Sequence, residues 1–418
     1  MECLAASSIR FLTTLYLCCT WGLAVGADRG YEAALPAQLA TDPDLCAYVP
    51  CKDVLPGADR FSRRMGKPAY VEAYRSTKGK RELIGYVFLS TDIVDIPAYS
   101  GKPVVSLIGM DTRGIITGVR ILRHSESIML LGVPQSDLAK FVFQYVGKFV
   151  GDKITVGKGG PQHGVLGVDA ISGATVTVIA LNQSILRSGL GVARQVGIVK
   201  PTKRPQAKFA DVAGVLDWQA LLKEGSVQQL RVTAGEVGLG HADRPYIDIY
   251  FGYLNVPAVG RSVLGDAGYA ALMTRLKPGD HAIFMIADGM ASFKGSGFVR
   301  GGIYERVQVV QDIDAFTFRD VDYLNLYGIE AAGAPRYRES AIFIIRSPLF
   351  SAAYPWRLVF LANKMDAQTG SRTFVSFDRE YWLPGRYLVG GRPKIAQRSS
   401  ATGAVRASKQ GVGTGRVN

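Results

Sequence analysis

One run in this chain, Phe11 to Ala27 (FLTTLYLCCTWGLAVGA), is apolar and uncharged for close to the length of a membrane helix, and it stands near the very start. A spanning helix needs about 18 such residues. Beyond residue 28 no stretch approaches that length, so the remainder has to fold in water by burying one face of each helix and strand. The run itself has the layout of a targeting sequence. Arg10 precedes it, Val25-Gly26-Ala27 is a small-residue exit, and Asp28-Arg29 restores charge. Residues 1–27 therefore read as a signal peptide cleaved near Ala27, or as an uncleaved signal anchor, since Glu2 offsets Arg10. Cys18 and Cys19 lack the small preceding residue of a lipoprotein site. The expectation is an exported chain.

Composition narrows the chemistry. Of 418 residues, 48% are hydrophobic and 20% charged, enough for a substantial core and for two or three domains. That excludes a disordered or collagen-like chain. The five cysteines lie at 3, 18, 19, 46 and 51 with no C-x-x-C pair, which argues against a cysteine-ligated iron–sulfur cluster or zinc ribbon. The four histidines, His124, His163, His241 and His281, are far apart, so no histidine-rich metal site is expected. Cys46 and Cys51 are read as a structural bridge or free thiols in preference to a redox dithiol.

The pattern along the chain is strand-rich α+β. Residues 28–82 form an N-terminal segment punctuated by Pro36, Pro43, Pro50 and Pro56. Leu83–Leu89 and Val104–Ile108 read as strands, and Ile115–Leu122 as the partner of the latter across an Asp111–Gly114 turn. A helix is expected over 135–150, where Leu138, Phe141, Val142, Tyr145 and Val146 share a face and Gln135-Ser136-Asp137 offer a cap. A second is expected over Thr175–Arg187, stopped by Ser188-Gly189. Lys200–Pro205 opens a linker (200–209) between a first domain, 83–199, and a second unit, 210–389. In the latter, strands are expected at Tyr246–Leu254, His281–Ala287, Ile303–Val310, Ala341–Ile345 and Trp356–Leu361, and a helix at Asp266–Leu276. Residues 390–418 carry six Lys or Arg and no acid, and read as a disordered basic tail.

The stretch with most chemical content is Asp169-Ala170-Ile171-Ser172-Gly173-Ala174-Thr175, which runs straight into an expected helix. Local physics leaves two readings open. One is a glycine turn with a hydroxyl cap. The other is a phosphate site, since helix-start N–H groups and the helix dipole favour an anion.

D-x-x-S-G-A-T also resembles the flavinylation motif of FMN-binding domains of the NqrC/RnfG type, found in the C and G subunits of the Na⁺-pumping NADH:quinone oxidoreductase and Rnf complexes and in NosR/NirI proteins. No position departs from the pattern. The resemblance implies an FMN phosphoester at Thr175, made by a flavin transferase that approaches the loop of Ser172, Gly173 and Ala174, with Asp169 as the motif's acidic position. It also implies that His124 and Glu126 fall near the flavin ring. Gly85-Tyr86-Val87-Phe88 and Ser100-Gly101-Lys102-Pro103 resemble other parts of that domain. Leu130–Pro134, Phe293–Val309, Phe318–Leu324 and Tyr354–Lys364 resemble the NosR/NirI family specifically.

The likeness runs over about residues 30–390 and stops near Leu388. Members of that family continue into transmembrane helices and a cysteine-rich iron–sulfur region, and the expectation is a chain truncated before both. The implied function is periplasmic electron transfer that supports nitrous oxide reductase, its maturation and the expression of its genes. Implied partners are the flavin transferase, that reductase or its maturation factors, and a membrane electron donor. The alternatives are a redox-sensing regulatory module, an unmodified assembly partner, or a subunit of an Rnf/Nqr-like complex. No residue is expected to act as a catalytic acid, base or nucleophile in turnover, and no metal ligand is assigned.

Two features invite other readings. Gly295–Gly302 is glycine-rich but lacks the P-loop Gly-Lys-Ser/Thr, so it is read as a bulged hairpin. The net charge of +14 suggests nucleic acid, yet six of the positives lie in the tail and no DNA-binding module stands out. Direct DNA binding is disfavoured; anionic lipid or an acidic redox partner fits a basic exported chain better. His163 sits in a loop before the motif and is read as solvated.

Overall fold

Apolar runs in the first half resolve into one antiparallel sheet covered on both faces. The computed structural model describes residues 35–126, 132–157, 166–200, 204–240, 242–295, 302–365 and 372–394. It opens on two single-turn helices, α1 (Leu45–Tyr48) and α2 (Cys51–Val54), joined by a Cys46–Cys51 disulfide. The cysteine pair is thus a bridge, with Cys51 buried. The sheet follows in sequence order: β1 (Arg60–Phe61), β2 (Val71–Thr77), β3 (Lys80–Leu89), β4 (Val105–Asp111) and β5 (Ile116–Arg123).

Alternation in β3 shows why LIGYVFL is apolar throughout. Val87 and Leu89 face a cluster with Leu45 and Val54 of the two short helices, while Tyr86 and Phe88 face the helices on the other side. Gly109 and Gly118 pair across β4 and β5 beneath α2. A Cβ on Gly109 would stand 2.1 Å from the Val54 carbonyl oxygen, so only glycine admits the helix end. The Thr117 hydroxyl donates to that carbonyl at 2.6 Å. Residues 35–79 therefore supply β1, β2 and a lid to the same sheet that 80–123 completes.

The other face carries α3 (Gln135–Phe143), a small parallel pair of β6 (Ile154–Val156) and β7 (Leu166–Val168), and α4 (Thr175–Gln195). Both helices differ from the sequence expectation. α3 ends at Phe143 rather than near residue 150, and Tyr145 and Val150 reach the core from turns, with Gly147 at φ +84°. α4 does not stop at Ser188-Gly189. Ser188 returns its hydroxyl to the carbonyls of Ser184 and Ile185, and a Cβ on Gly189 would meet Val150 at 2.7 Å. That glycine serves close packing inside a helix rather than its end. α4 is 21 residues long and apolar enough to cross a membrane by composition, but most of it is buried in the protein as a core helix.

The second unit consists of α5 (Trp218–Glu224), β8 (Val227–Thr233), β9 (Pro245–Tyr253), α6 (Pro257–Arg275), β10 (His281–Gly289), β11 (Ile303–Gln311), β12 (Asp314–Arg319), β13 (Tyr323–Leu324), β14 (Glu339–Ile345), β15 (Trp356–Met365) and β16 (Arg372–Tyr381). Two antiparallel sheets, ordered β13-β14-β10-β9-β8 and β12-β11-β15-β16, share one aromatic core that includes Phe251, Phe343, Trp356 and Tyr381. The expected helix Asp266–Leu276 is the latter half of α6, which begins at Pro257 and breaks at Gly265 (φ 70°, ψ 170°). The class is α+β throughout, as the sequence pattern indicates.

α4 also joins the two units. Its Gln183 donates to Gln308 of β11 at 3.0 Å, and its Arg194 pairs with Asp314 of β12 at 2.8 Å. The expected linker is pinned here. Arg204, its side chain 2% exposed, binds Asp312 and Asp314 and the carbonyls of Gln311 and Leu349. Most of the basic tail and residues 296–301 of the glycine-rich stretch lie outside the described residues, as does His163.

Candidate functional site

The seven residues Asp169–Thr175 form an exposed loop that turns directly into α4. Gly173 sits at φ +80° and closes the turn in which Ala174 N–H donates to Ile171 O. A Cβ there would meet only Val133, at 3.7 Å, so its backbone angle rather than crowding calls for glycine. Ser172 and Gly173 are exposed, Ala174 is buried, and Thr175 is half-buried as the first residue of the helix. The cap position, Ala174, offers no side-chain acceptor to the first turn. Helix-start N–H groups without such an acceptor suit a phosphate oxygen. The residues present therefore fit an FMN phosphate carried at this loop.

Two clamps hold the loop. Upstream, Asp169 exchanges both backbone bonds with one side chain: its N–H donates to Gln144 Oε1 at 2.7 Å, and Gln144 Nε2 donates to its carbonyl at 3.2 Å. The Asp169 side chain itself is at the surface. Downstream, the Thr177 hydroxyl donates to the Glu126 carboxylate. Glu126 also accepts from the N–H of Tyr99 at 3.2 Å and of Ser100 at 2.9 Å.

Glu126 and His124 follow β5 and are both buried. The Glu126 N–H donates to His124 Nδ1 at 3.2 Å, so that nitrogen is an acceptor. The structure thus brings Glu126 to the first turn of α4, beside the motif. It employs the carboxylate as an anchor for three donors. Gln144, Thr177, Tyr99 and Ser100 escaped the sequence reading. Only Thr177, a hydroxyl in the first turn of the expected helix, left a trace that local chemistry recognises.

Cavities also lie between the two units. One of about 750 Å³ opens between the two units along residues 183–194 of α4 and contains no motif residue. In it Arg194 pairs with Asp314, and Arg357 with Asp378.

Comparison with known proteins gives this geometry a context. The FMN-binding domain family matches residues 99–188, a span that starts at Tyr99, on Glu126, and includes all of Asp169–Thr175. The regulatory protein NosR of Pseudomonas aeruginosa is 37% identical over 365 residues, covering 82% of this chain and 50% of NosR. The chain belongs to the NosR/NirI family. NosR of Stutzerimonas stutzeri is 38% identical over 332 residues, 75% of this chain and 45% of its own. The protein NirI of Paracoccus denitrificans is 27% identical over 331 residues, 75% of this chain and 46% of NirI. This NosR/NirI chain spans about half the length of those relatives. Its cofactor is FMN, by the domain it contains. No solved structure matches it.

Proposed function

We propose that this chain is an exported, periplasmic flavoprotein unit in which FMN is joined through its phosphate to Thr175, and that it passes electrons in support of nitrous oxide reductase, its maturation and the expression of its genes. The observation that carries the reading is the placement of Thr175. It is the first residue of a long helix with no side-chain cap, behind an exposed left-handed glycine, inside an FMN-binding domain. The N–H groups of the first turn would hold the phosphate, and the Glu126 and Gln144 clamps would keep the loop presented to a flavin transferase. Bound FMN supplies one- and two-electron chemistry. A covalent tether suits a compartment where a dissociated flavin is lost. The Glu126 carboxylate, engaged by three donors, holds the helix start.

Intact-mass measurement after co-expression with a flavin transferase tests this. A mass gain of one FMN less one water, lost in Thr175→Val, supports the reading; no bound flavin in the wild-type chain overturns it.

A redox-sensing module is the second reading. It is favoured by the contact of α4, which begins at Thr175, with β11 and β12 of the second unit. Reoxidation of the reduced flavin by nitrous oxide reductase would select the electron carrier, and its absence the sensor.

A further inference from the structure

Arg187 occupies an unusual position on α4. Twelve residues past Thr175, it lies about 18 Å further along the helix axis. Its side chain is exposed, yet the protein packed around it and the Arg319 charge push its guanidinium below the ordinary arginine value. Both hold for a side chain that faces the water of a cavity. Neighbouring charges add to this: Arg319 opposes its charge more strongly than Asp314 supports it. Asp314 is already taken by Arg194 and Arg204.

Arg187 forms part of the wall of a second cavity between the units, about 500 Å³, on the β12–β14 side. Five cationic side chains line it against three carboxylates. The carboxylates are spent: Asp322 and Asp280 pair with Arg346, and Asp95 with Arg319. Among the described residues no hydrogen bond or ion pair reaches the side chain of Arg187, Arg275 or Lys277. Three exposed cationic side chains gathered on one cavity wall repel one another, and an oxyanion that accepts two parallel N–H bonds from a guanidinium relieves that repulsion.

We propose that this cavity binds a small, multiply charged oxyanion, a phosphate or carboxylate compound, between Arg187 of the first unit and Arg275 and Lys277 of the second. The site is separate from the Thr175 loop and stands whether or not flavin is attached there. Its occupant bridges the two units and therefore stabilises their contact.

Thermal unfolding of the whole chain, with inorganic phosphate or malonate titrated against chloride at constant ionic strength, tests this. A saturable rise in melting temperature with either probe is expected, at least tenfold weaker in apparent affinity in Arg187→Gln and weakened in Arg275→Gln/Lys277→Gln. A stronger response to phosphate points to a phosphorylated ligand, and to malonate, a dicarboxylate. No saturable rise with either probe overturns the site, as does an equal response in Arg187→Gln. Should Arg187→Gln fail to fold, unchanged affinity in the surface double variant overturns it alone.

Discussion

The hydroxyl of Thr177 donates to the carboxylate of Glu126, fifty-one residues upstream, and so ties the first turn of the helix that carries Thr175 to the end of a sheet strand. The same carboxylate accepts from the backbone of Tyr99 and Ser100. Three segments far apart in sequence meet on one buried side chain. Glu126→Ala leaves two N–H groups and a hydroxyl without their acceptor, and a loss of about 3 kcal/mol is expected. Urea denaturation of the purified chain measures it. Glu126→Gln, which keeps an acceptor oxygen, is expected to lose less than half as much; equal losses would mean that packing, not the bonds, is at stake.

Gly173 is open to solvent and meets nothing but Val133, so a side chain there costs backbone strain alone. Gly173→Ala is expected to lower stability by about 1 kcal/mol, because φ is positive. Gly173→Asn is expected to lose less, since asparagine tolerates that region. Under the flavin reading both slow incorporation at Thr175, which absorbance of the bound flavin follows over time.

Arg204 pins the connecting segment to the second unit with a side chain only 2% exposed. Arg204→Leu strands Asp314 with Arg194 alone and leaves two carbonyls unpaired. A loss of about 3 to 5 kcal/mol is expected, as for one partner removed from a buried pair. Limited proteolysis near residue 204 should accelerate in step; an unchanged cleavage rate would show that Arg204 does not pin the segment.

His281 is buried between Tyr253, whose hydroxyl lies 2.7 Å from its Nδ1, and Phe350. Burial pushes its pKa down from 6.5 to about 4. The folded state therefore stays neutral there while the unfolded chain takes up a proton below 6.5. Stability is full above pH 6.5 and falls as pH drops toward 4, by on the order of 3 kcal/mol from this group. His281→Phe should flatten that part of the stability–pH curve. An identical slope in the variant would assign the effect to other groups.

Much of the organisation was legible from local pattern. The 83–89 strand, the hairpin around Asp111–Gly114 and the start of α4 at Thr175 all follow from short-range alternation and turn chemistry, which sequence records directly. Failures came where a residue answers to a distant partner. Gly189 looked like a helix stop because a glycine's usual local role is a cap; Val150, thirty-nine positions away, explains it. α6 looked half its length because Gly265 breaks it, and the strands β2, β8, β12 and β16 went unread, their residues being too mixed to alternate visibly.

The sequence by itself determined the Asp169–Thr175 motif and the helix it opens, since a turn of small residues before an apolar run depends on nothing beyond its neighbours. It also carried the family, through phrases spread over both units. Tertiary structure alone decided what holds the site. Glu126 became an anchor because Tyr99, Ser100 and Thr177 converge on it. Asp169 is fixed by Gln144 through its backbone rather than its charge. Cys46 and Cys51 became a bridge under the sheet, and Arg187 a cation on the wall of a cavity between two units. Each of these depends on which surfaces meet, and burial, counter-charge and hydrogen-bond supply exist only after they have met.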